Sequence, residues 1–176
     1  MKKIKGSPLF VFVLLLIVFK SYGQKESDFR VSLSADPKMI VVGPYETSES
    51  GEWDLLLRFA YRRKHFEYSV FYEGFKAISY SSAGINVNYL FFKKDAQSRF
   101  NRLEFGVGPG FGVIVRKELD VRENFIELNG EFRYFFNKNI GLMFLGNLKY
   151  RSDLVVRYNE TEPWRFSNFW GVIYRW

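Results

Sequence analysis

The dominant repeat along this chain is two residues, the period of a strand with one apolar and one polar face. Glu52 to Arg62, EWDLLLRFAYR, carries it most clearly. Trp53, Leu55, Leu57, Phe59 and Tyr61 fall on one face, and Asp54, Leu56, Arg58, Ala60 and Arg62 on the other. As a helix, the same residues would spread their apolar positions around the whole circumference, so a strand is predicted. A tight basic connection, Arg63 to His65, leads to a second run in which Phe66, Tyr68, Val70 and Tyr72 oppose Glu67, Ser69, Phe71 and Glu73.

The alternation persists to the end of the chain. Ala83, Ile85, Val87, Tyr89 and Phe91 oppose Gly84, Asn86, Asn88 and Leu90. Leu103, Phe105, Val107, Phe111, Val113 and Val115 oppose Glu104 and four glycines. Ile126, Leu128, Phe132, Tyr134 and Phe136 oppose Glu127, Asn129, Glu131 and Arg133. Ile140, Leu142, Phe144, Leu148 and Tyr150 oppose a mixed set with Asn147, Lys149 and Arg151. A final strand sets Phe166, Trp170, Val172, Tyr174 and Trp176 against Ser167, Gly171 and Arg175, and a weaker first strand runs from Phe29 to about Ala35.

Eight strands are therefore predicted, an even number, as a single-chain membrane barrel requires. Most runs are near the roughly 9–11 residues that carry a tilted strand across a bilayer, longer than the usual strand of about 5–6. Connections 36–51, 74–80, 116–122 and 152–164 read as longer loops, and 63–65, 93–99 and 137–139 as shorter turns. That alternation suits long external loops and short internal turns. Pro109, within GVGPGFG, has no N–H to give to a ladder, so a bulge is expected there, with the flanking glycines making room for Phe71 or Phe135. The segment is not a phosphate loop, because strand residues follow it where a helix N-terminus would be needed.

The first residues change the picture of location. Lys2, Lys3 and Lys5 precede a charge-free stretch from Pro8 to Phe19, then small residues at Ser21 and Gly23. This is the layout of a cleavable signal peptide, residues 1–23, with the barrel domain at 24–176. The stretch is too short for a membrane helix, which needs about 18 or more apolar residues. The formal charge of +7 shrinks accordingly: four lysines leave with the signal, so 22 basic and 19 acidic residues remain, a net +3. The high pI is thus partly a targeting device, and no nucleic-acid partner is expected.

Twenty per cent of the residues are aromatic. Many fall near strand ends, where a membrane barrel carries its aromatic girdles. With hydrocarbon outside, every backbone group must be paired, so the sheet must close. A water-soluble sandwich or lipocalin-like barrel would show the same alternation with its faces reversed. Strand length, even count, connection pattern and aromatic strand ends favour the membrane version. Eight strands leave a narrow interior filled by side chains. Arg58, Glu67, Asn86, Asn88, Glu104, Glu127, Asn129, Glu131 and Arg133 are the expected lumen network, with Glu67, Glu104, Glu127 and Glu131 pairing with Arg58 and Arg133.

The last six residues, Gly171-Val172-Ile173-Tyr174-Arg175-Trp176, resemble the closing strand of bacterial outer-membrane barrels. Tyr174 and Trp176 match that pattern at the third-last and last positions. The whole precursor resembles the small OmpA/OmpX/OmpW-type barrels, and is most similar to the "outer membrane protein β-barrel" family of the Bacteroidota. The resemblance implies an all-β, eight-stranded, antiparallel, up-and-down transmembrane barrel in a Gram-negative outer membrane. It also implies that Tyr174 and Trp176 are read by the barrel-assembly machinery during insertion.

Candidate chemistry is sparse. The chain has no cysteine and one histidine, which removes thiol chemistry, disulfides and all-histidine metal clusters. His65 lies in a predicted turn at the end opposite to that where deacylating barrels hold their serine and histidine. No catalytic residue, cofactor or metal site is assigned. The expected role is structural or interactive, with outer-membrane lipid as surroundings and with lipopolysaccharide or an extracellular partner meeting the longer loops. Arg116 with Lys117, and Arg151 with Arg157, are candidates for that lipopolysaccharide contact. The alternatives are a lipid-modifying enzyme or a narrow channel for small apolar solutes.

Overall fold

The computed structural model describes residues 27–43, 53–91, 102–116 and 121–176. The proposed signal peptide and the turn residues 93–99 lie outside the described residues. In chain order the elements are β1 (Ser27–Ala35), α1 (Pro37–Val41), β2 (Asp54–Arg63), β3 (Phe66–Phe75), a 3-10 turn (Lys76–Ile78), β4 (Tyr80–Leu90), β5 (Leu103–Arg116), β6 (Val121–Phe135), β7 (Ile140–Arg151), α2 (Ser152–Tyr158) and β8 (Trp164–Arg175). Each strand pairs antiparallel with its sequence neighbour, and β8 pairs with β1, so the sheet closes. The end holding Ser27 and Trp176 is the lower end here, and the end holding α1 and α2 the upper.

The stagger follows from the register. Partners run from Arg30 to Ala60, Ser69, Asn86, Gly110, Glu127, Lys149 and Arg165. The β8 residue that faces Arg30 is instead Arg175, so the circuit closes with a shift of ten residues, the interval between Arg165 and Arg175. Such a shift tilts the strands and lets side chains at different strand positions meet at one height.

The two faces separate as the alternation predicts. Trp53, Leu55, Leu57, Tyr68, Val70, Tyr72, Ile85 and Phe111 are exposed on the outside. Arg58 and Glu131 are 2% and 1% exposed, on the inside. The barrel is thus apolar outside and polar inside, the opposite of a water-soluble barrel. Along the lumen, Leu56, Phe71, Phe75, Ile114, Phe125, Met143, Leu145, Phe169 and others form an apolar cluster.

Three local expectations are corrected. Pro109 causes no bulge: Asn86 pairs with Gly110 and, in unchanged register, Tyr89 with Val107. A Cβ at Gly108 would strike the Val87 carbonyl, so glycine lets β4 and β5 pass closely without an inserted residue. Phe135 lies against Gly141 on β7, and Phe71 against Gly84, the β4 partner of Gly112, while the nearest side chain over Gly112 itself is Phe125. The connections are also less regular than expected. Strands β3 to β6 continue to Phe75, Tyr80, Arg116 and Val121, shortening two of the upper loops to 76–79 and 117–120. Their partners extend the ladder past the point where alternation fades.

The other upper loops contain short helices. Asp36 caps α1 by accepting from the Lys38 N–H at 2.9 Å, with Pro37 in the first turn where no N–H is needed. At the lower end, Lys64 takes a positive φ of 55° in the two-residue turn between β2 and β3.

Candidate functional site

The lumen is the candidate site, and it has three levels. At the lower level, Arg30 reaches Glu67 at 3.1 Å and Glu104 at 2.5 Å, and also pairs with Asp28. Arg133 donates to Glu67 at 2.6 Å and to Glu131 at 2.5 Å. Arg58 pairs with Glu131 from the opposite wall. Arg62 and Arg175 reach the same Glu104 oxygen at 2.8 and 3.0 Å. Five arginines and four carboxylates thus form one network, closed beneath by Phe135, whose ring lies 3.7 Å from Arg175.

Arginine suits this place because its planar fork serves several carboxylate oxygens at once and stays charged. The outer ends of the network also hold backbone. Arg62 Nε donates to the Lys64 carbonyl at 3.0 Å, and Arg175 Nε to the Lys138 carbonyl at 2.7 Å.

One inward position higher on β3, β4, β6 and β7, the lumen becomes amide-rich. Asn88 donates to Glu131 at 2.8 Å, and Asn147 to Glu127 at 2.6 Å. Ser69 Oγ, Asn86 Oδ1, Asn88 Oδ1, Asn147 Oδ1 and both carboxamide atoms of Asn129 are buried without a protein hydrogen-bond partner. This half-ring faces β5, whose inner surface from Gly106 to Gly112 has no side chains. Over Gly110, Asn86 Oδ1 and Glu127 Oε1 lie 2.6 and 2.8 Å from where a Cβ would stand.

The upper level centres on Lys149. Its ammonium pairs with Glu73, donates to Tyr80 Oη at 3.2 Å and Ser82 Oγ at 3.3 Å, and sits 4.6 Å from the Phe125 ring centre. Ser82 in turn donates to Glu73 at 2.8 Å. A serine beside a lysine suggests a nucleophile and its base. Here the lysine is an ion-paired ammonium with no lone pair to accept the serine proton, and Ser82 is 1% exposed. Above it, Asp153 of α2 accepts from Arg151 at 2.7 and 2.6 Å and from Arg116 at 3.0 Å. Burial alone would push the Asp153 carboxyl up; the hydrogen bonds and charge of Arg151, with Arg116 behind them, outweigh it and hold the group below the ordinary aspartate range.

All nine sequence-assigned lumen residues point inward and are buried. Glu67 and Glu131 pair with Arg58 and Arg133 as expected, and Glu104 lies 3.5 Å from Arg133 but also serves Arg30, Arg62 and Arg175. Glu127 departs from the expectation and takes Asn147, with Lys149 3.7 Å away. Sequence reasoning did not assign Asp28, Arg30, Arg62, Glu73, Lys149, Asp153 or Arg175 to the network. For most of them the polar-face alternation was the available signal. Arg116 and Arg151 point onto Asp153. His65 contacts the Leu90 carbonyl at 3.2 Å and stacks on Tyr89 at the lower end. Tyr174 faces outward and packs on Trp176, whose backbone N–H donates to the Phe29 carbonyl at 3.1 Å. Among the described residues, no group of three or more acidic or histidine side chains is placed to hold a metal ion.

No protein-family model matches the chain, and no curated protein matches it. Solved structures do. The crystal structure of Neisserial surface protein A matches with a TM-score of 0.52 and 16% identity, over 85% of this chain and 94% of that one. The backbone structure of the Yersinia pestis outer membrane protein Ail, in a phospholipid bilayer nanodisc, matches with a TM-score of 0.54 and 9% identity, over 86% of this chain and all of that one. At these identities the likeness concerns the fold: this chain is a closed, eight-stranded antiparallel barrel similar to small outer-membrane barrels.

Proposed function

We propose that this chain is a small barrel of a Gram-negative outer membrane, with a structural or interaction role and a lumen closed by ion pairs. The observation that carries the reading is the pairing of an apolar outer surface with an arginine–carboxylate core. A closed sheet satisfies its backbone in hydrocarbon, and the buried charges compensate one another where unpaired ones would be costly. Export through the signal peptide 1–23 and insertion through the assembly machinery, which reads Tyr174 and Trp176, complete the route. The upper loops then face outward, towards lipopolysaccharide or an extracellular partner. A Bacteroidota source rests on sequence resemblance.

The test is to express the full chain, fractionate the envelope, and record planar-bilayer conductance of the refolded barrel. Recovery in the outer membrane as a heat-modifiable band, without current, is the expected result. Recovery in the periplasm would overturn the location. Steady conductance would favour the channel reading over the closed lumen, and a deletion-linked lipid change restored by the wild-type gene would favour the enzyme.

A further inference from the structure

The lower rim carries a collar of cations. Arg63 and Lys64 lie at the β2–β3 turn, Arg102 immediately precedes β5, and Lys138 lies in the β6–β7 turn. All four side chains are exposed and have no ion-pair partner among the described residues. The described carboxylates nearest this end, Asp28, Glu67 and Glu104, are engaged by lumen arginines. The upper end differs: its exposed Lys38, Lys76 and Arg122 are accompanied by exposed Glu162 and by the Arg165–Glu160 pair.

The collar is built on braced backbone. Arg62 holds the Lys64 carbonyl and Arg175 the Lys138 carbonyl, and both arginines are anchored on Glu104. The two turns that bear lysines are thus fixed from inside the lumen. Just above them runs an aromatic belt, with Phe66 5.6 Å from Tyr89, Tyr89 5.3 Å from Phe91, and Tyr134 5.5 Å from Phe136. Aromatic belts of this kind mark the level of lipid headgroups. Cations beside it stand at phosphate height, and their long aliphatic stems let the charged heads reach the headgroups.

We propose that this collar binds the phosphates of anionic phospholipid headgroups in the leaflet at the lower end. The inference rests on the outer-membrane reading above, and adds which leaflet the chain recognises and by what charge. The recognition is electrostatic and shape-tolerant, so it selects phosphatidylglycerol over a zwitterionic lipid without a closed pocket. Each cation near an anionic surface is worth roughly fivefold in partitioning.

The experiment compares the wild-type chain with an R63Q/K64Q/R102Q/K138Q variant. Both are refolded into nanodiscs of mixed phosphatidylglycerol and phosphatidylcholine, and lipid retained by the barrel is read by native mass spectrometry. The wild type should retain phosphatidylglycerol several-fold in excess of its share, less so in high salt, and the variant should retain both lipids in proportion. Equal enrichment in wild type and variant, or none in either, overturns the collar while leaving the barrel in its membrane. Should the wild type refuse to fold into any bilayer, the outer-membrane reading itself falls, and the collar with it.

Discussion

The lower and middle levels of the lumen are equally buried and equally polar, yet they are organised in opposite ways. At the lower level each of the four carboxylates has at least one guanidinium partner, and Glu104 has several. The unpartnered atoms there, Arg58 Nη1 and Arg133 Nε, belong to guanidiniums that are ion-paired through their other nitrogens. At the middle level Asn129 has no partner for either carboxamide atom, and Ser69, Asn86 and Asn147 each leave an oxygen unpaired. The difference comes from reach. Arginine spans the lumen and links residues 37 to 74 positions apart in the chain. Asparagine is shorter: Asn88 reaches Glu131 only by crossing the glycine face of β5, Asn147 reaches Glu127 on the adjacent strand, and that glycine face offers no side chain to bond. Long side chains tie staves together; short ones fill space.

Breaking the lower level should cost the most. Glu67→Ala leaves Arg30 and Arg133 short of charge compensation in the lumen, a change expected to remove about 3–5 kcal/mol of stability. Urea unfolding in lipid vesicles measures it, and a wild-type midpoint would refute the idea that the network is a single unit. Lys149→Met at the upper level should cost less, about 3 kcal/mol, because Glu73 loses its ammonium partner but keeps its Ser82 hydrogen bond. The same unfolding assay ranks the two, and the reverse order would mean that the upper cluster anchors the lumen.

The middle level should respond with the opposite sign. Asn129→Leu removes two unpaired polar atoms and keeps the branched heavy-atom shape, so stability should hold or rise by up to about 1 kcal/mol. Asn88→Leu, which loses the bond to Glu131, should destabilise. A large loss in Asn129→Leu would show that this carboxamide has partners in the folded protein.

The smallest effect lies at the upper rim. The Asp153 pKa is lowered in the folded state, so its contribution is full above the ordinary aspartate value, about 3.9. It is lost as the pH falls through the depressed folded value. Asp153→Asn should therefore flatten the acid limb of stability against pH, and an unchanged limb would detach α2 from its two arginines.

The sequence made faces legible and left heights hidden. Period-two alternation assigns Arg58 and Glu131 to the same side of the sheet, because consecutive side chains must point oppositely. It does not say that Glu104 will meet Arg30 and Arg175. That meeting depends on the ten-residue stagger, which is fixed by register around the whole barrel and by no single strand. The connections are hard to read for a related reason. Around Phe75 and Tyr80 the local pattern fades, while pairing with Asp54 and Arg116 keeps the strands going. The helices α1 and α2 are too short to leave a clear period, although Asp36-Pro37 is a legible cap.

The position of Glu104 has a consequence for assembly. It lies on β5, yet two of its partners, Arg30 and Arg175, belong to the first and last strands, which meet only when the cylinder seals. Until that moment its charge is incompletely neutralised, so a sheet left ajar faces an electrostatic penalty that vanishes on sealing. The seam between the two ends of the chain is thus locked from across the bore as well as by its own ladder. An intermediate trapped open should be recognisable by a salt-sensitive lifetime that the finished barrel lacks.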